Sequence, residues 1–403
     1  MKEMKQYTIA EICSRLSSGK GIPASKVTPT GPYPVIGGNG VRGYTDSFNF
    51  DGECAIIGRQ GANCGNVRYF QGKAYMTEHA IVAIGNENAN TKYLACLFSL
   101  MHLGNLSAQS AQPGLSVQTL SKQIIYLPEI STQNQIADII KSLDTKIELN
   151  NRINHNLEEQ AQALYKSWFV DFEPFRGGNF VDSELGLLPE GWRVGCYNDI
   201  ISSTVSGDWG KDREEGNYTH KVSCIRGCDF ADVSSGIRGK TPERFILEKN
   251  FKNKRLIDKD IVVEISGGTP TVSTGRICLV SDNLLDKYSG NIVCTNFCRV
   301  IRPCSGYSSY VFYSWLDKYK SRVMFGYENG TSGIKNFQIS DFMEKEPVII
   351  PPQTVIAKFQ TIVEFYQAVI QRNGNERMEC ETVRDTLLPK LMSGELKIND
   401  LTC

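Results

Sequence analysis

STQNQIADIIKSLDTKIELNNRINHNLEEQAQALYKSWFVDFEPF, residues 131–175, is the longest helical pattern in the chain. Every seventh residue from Ile136 reads Ile136, Leu143, Asn150, Leu157 and Leu164, and from Ile140 it reads Ile140, Ile147, Asn154, Ala161 and Trp168. Steps alternating between four and three put both series on one helix face, the a/d seam of a coiled coil. Only Asn150 and Asn154 break the apolar seam, and no Gly or Pro interrupts residues 131–173. Ser131 is placed to cap the start, and Glu173-Pro174 to stop the helix near Phe172.

The pattern occurs twice. A shift of 223 residues carries Pro128 onto Pro351 and the seam onto Phe359, Tyr366, Asn373, Cys380 and Leu387, with Val363, Ile370, Arg377, Arg384 and Leu391 beside them. The polar pair Asn150/Asn154 falls on Asn373/Arg377. Antiparallel packing would bring these polar layers together, and a buried polar layer fixes register at a cost in stability. The alternative is two unrelated surface helices. Asn373-Gly374-Asn375 is a turn-like sequence and predicts a kink in the second helix.

The segments between the helices are rich in glycine turns and short apolar runs, the pattern of β-rich blocks. In the first block, YPVI (33–36), AIIG (55–58) and 80–84 read as strands, and 93–103 as a helix. In the second block, 257–263 answers 50–56, GRI at 275–277 answers GNV at 65–67, 310–316 answers the 93–103 helix, and 331–336 answers 112–117. The expected boundaries are 1–123, 124–187, 188–347 and 348–403: a β-rich block and a long helix, each present twice. The fold class is α+β with a pseudo-two-fold internal repeat.

The formal net charge is zero, with 44 basic and 44 acidic side chains. Residues 1–120 hold 10 Lys+Arg against 7 Asp+Glu, and residues 189–345 hold 22 against 19. The helical stretches reverse this, with 6 against 10 in 121–188 and 6 against 8 in 346–403. Mildly basic blocks thus alternate with acidic helices. No leader-like apolar segment opens the chain, and thirteen cysteines then read as free thiols of a reducing cytoplasm. Cys224-x3-Cys228 and Cys294-x3-Cys298 are spaced more loosely than the usual zinc ligands, so no metal is expected.

LYKSWF at 164–169, LPEGW at 188–192 and LLPKLMSGEL at 387–396 frame the repeat. Together with YPVIGGNGVRG at 33–43 and GRQG at 58–61, they resemble motifs of the specificity subunits of type I restriction-modification systems. The resemblance covers nearly the whole chain and includes the order of its parts. It implies two target recognition domains, each reading one half of a split double-stranded DNA sequence, and two antiparallel spacer helices. It also implies docking of methyltransferase (modification) subunits, two of them, on those helices, with restriction/translocase subunits joining through that core. S-adenosylmethionine, ATP and Mg would then serve the partners, and this chain would carry no cofactor of its own.

Reading bases needs Arg, Lys, Asn, Gln, Ser or Thr on loops able to approach a groove. In the first block the candidates are Asn39, Arg42, Arg59, Gln60, Asn63, Gln109 and Gln112, with Arg59-Gln60 favoured by its flanking glycines. In the second they are Lys211, Arg213, Arg226, Arg238, Lys240, Thr269, Thr271, Asn329 and Lys335. Lys249, Lys252, Lys254 and Arg255 suit phosphates better than bases. Asn150, Asn154, Asn373 and Arg377 are the candidate register residues of the spacer. Trp168 and Phe169 suit core packing better than an exposed docking patch. About forty helical residues at ~1.5 Å each make a rod of roughly 60 Å, comparable with one to two duplex turns.

No phosphate-binding Lys loop and no Asn-Pro-Pro-Tyr-type methyltransferase motif occurs, and His79, His102, His155 and His220 are scattered. The sequence therefore assigns no chemistry to this chain. Three other readings stay open: an enzyme with an unfamiliar site, a scaffold that binds no DNA, and the specificity subunit of a related system that cuts on both sides of its site.

Overall fold

The structure, a computed structural model, describes residues 4–107, 114–269, 271–330 and 335–398. The chain packs as two units, residues 1–146 with 380–403, and residues 147–379. The two long helices, Ile130–Phe169 and Gln353–Ser393, are each one element that contributes residues to both units. Each unit thus combines a β-rich block with a stretch of both helices. The boundaries expected from the sequence instead set the helices apart from the blocks.

The first unit is built on a six-stranded sheet. Its order is Cys13–Ser18, Ala80–Gly85, Phe50–Gly58, Val67–Met76, Tyr33–Gly37, Gly40–Thr45. Neighbours are antiparallel except Tyr33–Gly37, which runs parallel to Val67–Met76. The central strand segments CAIIG and AIVA are buried on both faces, which explains their continuous apolar runs. Helix Thr91–Leu100 begins where the Asn90 side chain accepts the Tyr93 N–H, and it lays Tyr93, Leu94 and Phe98 into the core. That core also takes Ile136, Ala137 and Ile140 from the first long helix and Leu391 and Met392 from the second. A short strand, Lys5–Thr8, pairs with Ile124–Leu127 just before the helix. A salt-bridged cluster ties the block to the helices: buried Lys92 reaches Asp144 at 2.5 Å, and Arg384 holds the other oxygen of Asp144 at 3.0 Å.

The second unit repeats this plan with interruptions. Ile201–Ser206, Cys298–Pro303, Ile261–Glu264 and Ile277–Leu279 form one sheet. Glu243–Leu247, Tyr218–Ile225 and Ile292–Cys294 form another, in which Tyr218–Ile225 runs parallel to Ile292–Cys294. The single strand Val67–Met76 of the first unit therefore has two counterparts, Ile277–Leu279 and Ile292–Cys294. Helix Asp282–Lys287 is inserted between them. Likewise, the two-residue turn between Tyr33–Gly37 and Gly40–Thr45 is replaced by residues 226–242, which carry helix Phe230–Ser234. An aromatic cluster fills the core: Phe169 meets Phe359 at 5.0 Å and Tyr310 at 4.9 Å, with Tyr165 and Trp192 beside them. The LYKSWF and LPEGW motifs are thus core motifs, with Phe169 buried and Trp168 half-buried.

Several expectations need correction. The turn-like Asn373-Gly374-Asn375 does not end the second helix, which continues from Gln353 to Ser393. Gly374 instead leaves room for a backbone to approach the helix. Ser131 is not the cap, because the helix already begins at Ile130, and buried Gln133 ties the entry by donating to the Asn88 and Pro128 carbonyls. The first helix ends at Phe169 rather than Phe172, and Phe172 adopts φ 52. The strand match is off by one. Gly58 pairs with Ala80 and Glu264 with Cys298, so Val263 answers Ile57 rather than Ile56. A slip of one residue exchanges the two faces of a strand. Phe337 takes the place of Leu115, because both donate their N–H to the same structural position, and residues 331–334 of the expected match lie outside the described residues.

Within each unit the two helices run antiparallel, Asp144 facing Arg384 in the first and Asn154 facing Ile370 and Asn373 in the second. Asn150, Asn154 and Asn373 are all buried in the second unit. Asn373 Nδ2 donates to Asn154 Oδ1 at 2.9 Å, and Asn150 Nδ2 donates to the Asn373 carbonyl at 3.3 Å and to Glu376 at 3.0 Å. Arg377, half-buried, donates to Asn151 Oδ1 at 2.9 Å.

Candidate nucleic-acid interface

In the first unit the glycine turns meet at one end of the sheet. The Arg59 N–H donates to the His79 carbonyl at 3.0 Å, Lys20 to Met76 at 2.9 Å, and Thr77 to Ile36 at 2.9 Å. The Leu115 N–H returns to the Arg59 carbonyl at 2.8 Å, which brings the segment after helix Thr91–Leu100 to the same place. Close approach is what the glycines permit: a β-carbon on Gly38 would lie 3.2 Å from the Gly58 α-carbon and 3.0 Å from the His79 carbonyl oxygen. The cluster gathers Lys20, Asn39, Arg59, Gln60, Asn63, Glu78 and His79 on loops packed backbone to backbone, with Arg42 and Arg68 at the adjoining strand ends.

The second unit reproduces these bonds one by one. Asp208 donates to Cys294 at 2.8 Å, Thr295 to Ile225 at 3.0 Å, Ile265 to Phe297 at 2.8 Å, and Phe337 to Ile265 at 2.9 Å. The pair Gly58→Asn66 and Gly65→Gly58 recurs as Glu264→Arg276 and Gly275→Glu264. Lys20, Gly38, Arg59, Gln60 and His79 therefore correspond to Asp208, Gly227, Ile265, Ser266 and Phe297. One backbone frame carries two different sets of side chains.

The sequence candidates are distributed unevenly over this frame. In the first unit Asn39, Arg42 and Gln60 are exposed, and Asn63 is half-buried. Arg59 is half-buried and turns back toward Ser18 Oγ at 3.4 Å and the Glu78 carbonyl at 3.5 Å, both long contacts. Gln109 and Gln112 lie outside the described residues, but their flanks are held here: Gly114 bridges to Gln60, and its N–H donates to Ser107 Oγ at 2.8 Å. Sequence reasoning missed Lys20, Arg68 and His79. The Arg68 guanidinium packs against Gly40 where a β-carbon would sit, and the φ of 102 at Gly40 is one only glycine adopts readily.

In the second unit Thr269 and Thr271 sit on the exposed loop after Gly267-Gly268. Lys335 lies on the neighbouring strand, bonded to Glu328 at 2.8 Å, with exposed Asn329 nearby. Arg226 is committed to the fold by a bidentate pair with Asp229, 3.0 Å for each bond, and by a bond to the Lys240 carbonyl. Arg238 lies over the Tyr288 ring, while Lys240 is exposed on the same insertion. Lys211 and Arg213 are on the edge beyond strand Glu243–Leu247, where Lys211 exchanges backbone bonds with Phe245. Lys254 is bound to Asp208 and the Gly207 carbonyl. Phe297 and Asn296, both exposed at this end, were not foreseen.

Among the described residues no three His, Cys, Asp or Glu are grouped to hold a metal ion. Cys224 donates to the Asp208 carbonyl at 3.1 Å, and burial pushes its thiol up to about 12, the behaviour of a core residue. The twelve described cysteines are free. A cleft of about 430 Å³ in the second unit is lined by Glu158, Asp258, Lys259, Tyr313 and Glu364, with Lys259 paired to Glu364 at 3.0 Å. Among the described residues no helix is long and apolar enough to cross a membrane.

Residues 1–159 match the family described as type I restriction modification DNA specificity domain. The MjaIX specificity subunit, a type I restriction enzyme component of Methanocaldococcus jannaschii, is 30% identical over 329 residues, 79% of this chain and 72% of that one. The chain belongs to the type I restriction enzyme specificity subunits. The HindI specificity subunit of Haemophilus influenzae is 26% identical over 70% of this chain and 71% of its own. The crystal structure of a type I restriction-modification S subunit from M. genitalium superposes with a TM-score of 0.63, covering 96% of each chain. At 16% identity this is a likeness of fold. The loop cluster of each unit is accordingly the candidate DNA interface of a specificity subunit.

Proposed function

We propose that this specificity subunit reads a split DNA target, one half with the loop cluster of each unit, and that the long helices set the gap between the halves. The observation that carries the reading is the recurrence of the same backbone hydrogen bonds around two different sets of side chains. A shared frame gives both units the same way of approaching a duplex. Different side chains on that frame give each unit its own base preference. Exposed Asn39, Arg42, Gln60 and Arg68 suit base edges and phosphates in the first unit. Thr269, Thr271, Lys240 and Lys335 are their counterparts in kind in the second.

Partner docking belongs to the helices. Leu149 and Ile153 are exposed on the first long helix, one turn apart and outside its seam. The four-residue step puts them on one helix face as a small apolar patch, the form a helical partner surface takes. Methyltransferase subunits, two of them, would dock there, with restriction subunits joining the assembled core. Methyl transfer, ATP hydrolysis and cleavage then fall to those partners. Methylation-sensitive sequencing of a genome modified by the assembled complex tests the reading. The expected result is two short motifs separated by a fixed unspecified gap. A single continuous motif, or no motif, would contradict it.

A further inference from the structure

We propose that Phe297 is a base-reading side chain: its ring makes an apolar contact with one base in the half-site read by the second unit. The inference rests on the two-unit reading above and adds a residue and a contact type to it. Phe297 is 62% exposed, and it stands at the position that His79 occupies in the first unit.

Its backbone is fixed on both sides. The Phe297 carbonyl accepts the Ile265 N–H at 2.8 Å and the Ser266 N–H at 3.3 Å. The Cys298 N–H closes the turn onto the Thr295 carbonyl at 2.9 Å, and Cys298 opens a buried strand of the sheet. Only the two side-chain torsions are left free, so little conformational freedom is lost when the ring meets a ligand. Beside it run Ser266, Gly267 and Gly268, the last two at φ 139 and 75, and then the exposed hydroxyl of Thr269.

Single exposed apolar residues are common on protein surfaces. Phe297 is distinguished by its place: a rigid turn at the loop cluster, with Asn296, Ser266 and Thr269 nearby to pair with a duplex while the ring cannot. A phenyl ring contributes to recognition where a base offers apolar surface. That surface is the thymine methyl in the major groove, or the face of a base at a step the ring opens. The imidazole of His79 offers a polar ring in the corresponding place. The two halves of the target are then read with different chemistry at matched positions.

The test uses the chain assembled with its methyltransferase subunits and duplex oligonucleotides carrying the target found by methylation mapping. F297A is expected to weaken binding roughly 5- to 100-fold, with discrimination lost at one position of one half-site only and the other half-site read as before. F297W, which keeps an aromatic face, restores most of the affinity. Thermal melting of F297A within a degree or two of the parent shows that the fold is intact. Replacing each dT of that half-site with deoxyuridine reproduces the loss if the ring meets a methyl group. A fluorescence rise from 2-aminopurine, present with the parent and absent with F297A, marks an opened step. Either outcome supports the proposal. Unchanged affinity and specificity in F297A, or an equal loss across both half-sites, would overturn it. A parent methylation map with no split target would overturn the two-unit reading, and this proposal with it.

Discussion

The backbone of Gly374, midway along the second long helix, lies against the backbone of Gly236: a β-carbon on Gly374 would stand 2.6 Å from the Gly236 α-carbon, and one on Gly236 would stand 2.7 Å from the Ile370 carbonyl oxygen. Gly236 belongs to the insertion that replaces the tight turn of the first unit, and its φ is 77. The neighbouring Ser235 carbonyl accepts Asn154 Nδ2 at 3.3 Å, and Lys287 Nζ, on the other insertion, donates to the Gly236 carbonyl at 2.7 Å. The two insertions of the second unit thus add a second attachment of its recognition block to its helices, beside the aromatic cluster around Phe169.

Gly374→Ala therefore reverses an ordinary sign. In a free helix the change would stabilise by about 1 kcal/mol. Here the new methyl group meets backbone that cannot move aside, and a net loss of roughly 1–3 kcal/mol is expected. Urea denaturation of the two proteins decides it, and a gain in stability would show that the two backbones are not in contact.

The buried amide layer acts as a unit. Removing Asn154 leaves the Nδ2 of Asn373 without its 2.9 Å acceptor and frees the Ser235 carbonyl. Asn154→Ala and Asn373→Ala should each cost about 1–3 kcal/mol. A double-mutant cycle should show coupling above about 0.5 kcal/mol. Additive losses would mean that the two side chains do not depend on each other.

Lys287 gives a pH signature. Burial lowers its ammonium from an ordinary 10.5 to about 8. The unfolded chain then holds this proton up to a higher pH than the folded chain does. The site penalises folding below pH 8, and the penalty fades as pH rises toward 10.5. Lys287→Met removes the effect. The stability of the parent minus that of the variant should rise between pH 8 and 10.5. A flat difference across that window would mean that the lysine keeps its ordinary affinity for the proton.

If the helices set the gap, lengthening both should widen it. Seven residues inserted at 146/147 and seven at 379/380 preserve the heptad phase and add about 10 Å. At 3.4 Å per base pair the gap should grow by about three base pairs. Methylation mapping reads the change directly, and an unchanged gap with both halves still recognised would refute the ruler.

Much of this was legible because it lies in short-range pattern. The heptad steps around Ile136 and Ile140, their recurrence at Phe359 and Val363, and the motifs at 164–169 and 188–192 carry the helices and the core that holds them. The role of Gly374 was not legible because sequence shows only that glycine weakens a helix. The reason for it is a backbone that arrives from a residue 138 positions away, Gly236. The split of one strand into Ile277–Leu279 and Ile292–Cys294 left no local mark either, since each piece is too short to show a period. His79 and Phe297 have no motif at all. Their equivalence exists only in the hydrogen bonds from Arg59 and Ile265. Arg226 shows the converse. By composition it suited a base contact, and the fold uses it to hold Asp229.

The central claim is that the two units read separate halves of the target. Methylation mapping with the paired change Gln60→Ala and Arg68→Ala, both exposed at the loop cluster of the first unit, tests it most directly. The account predicts that one half of the motif becomes degenerate while the other half and the gap stay as in the parent. Degeneracy spread over both halves, or a motif that does not change, would contradict it.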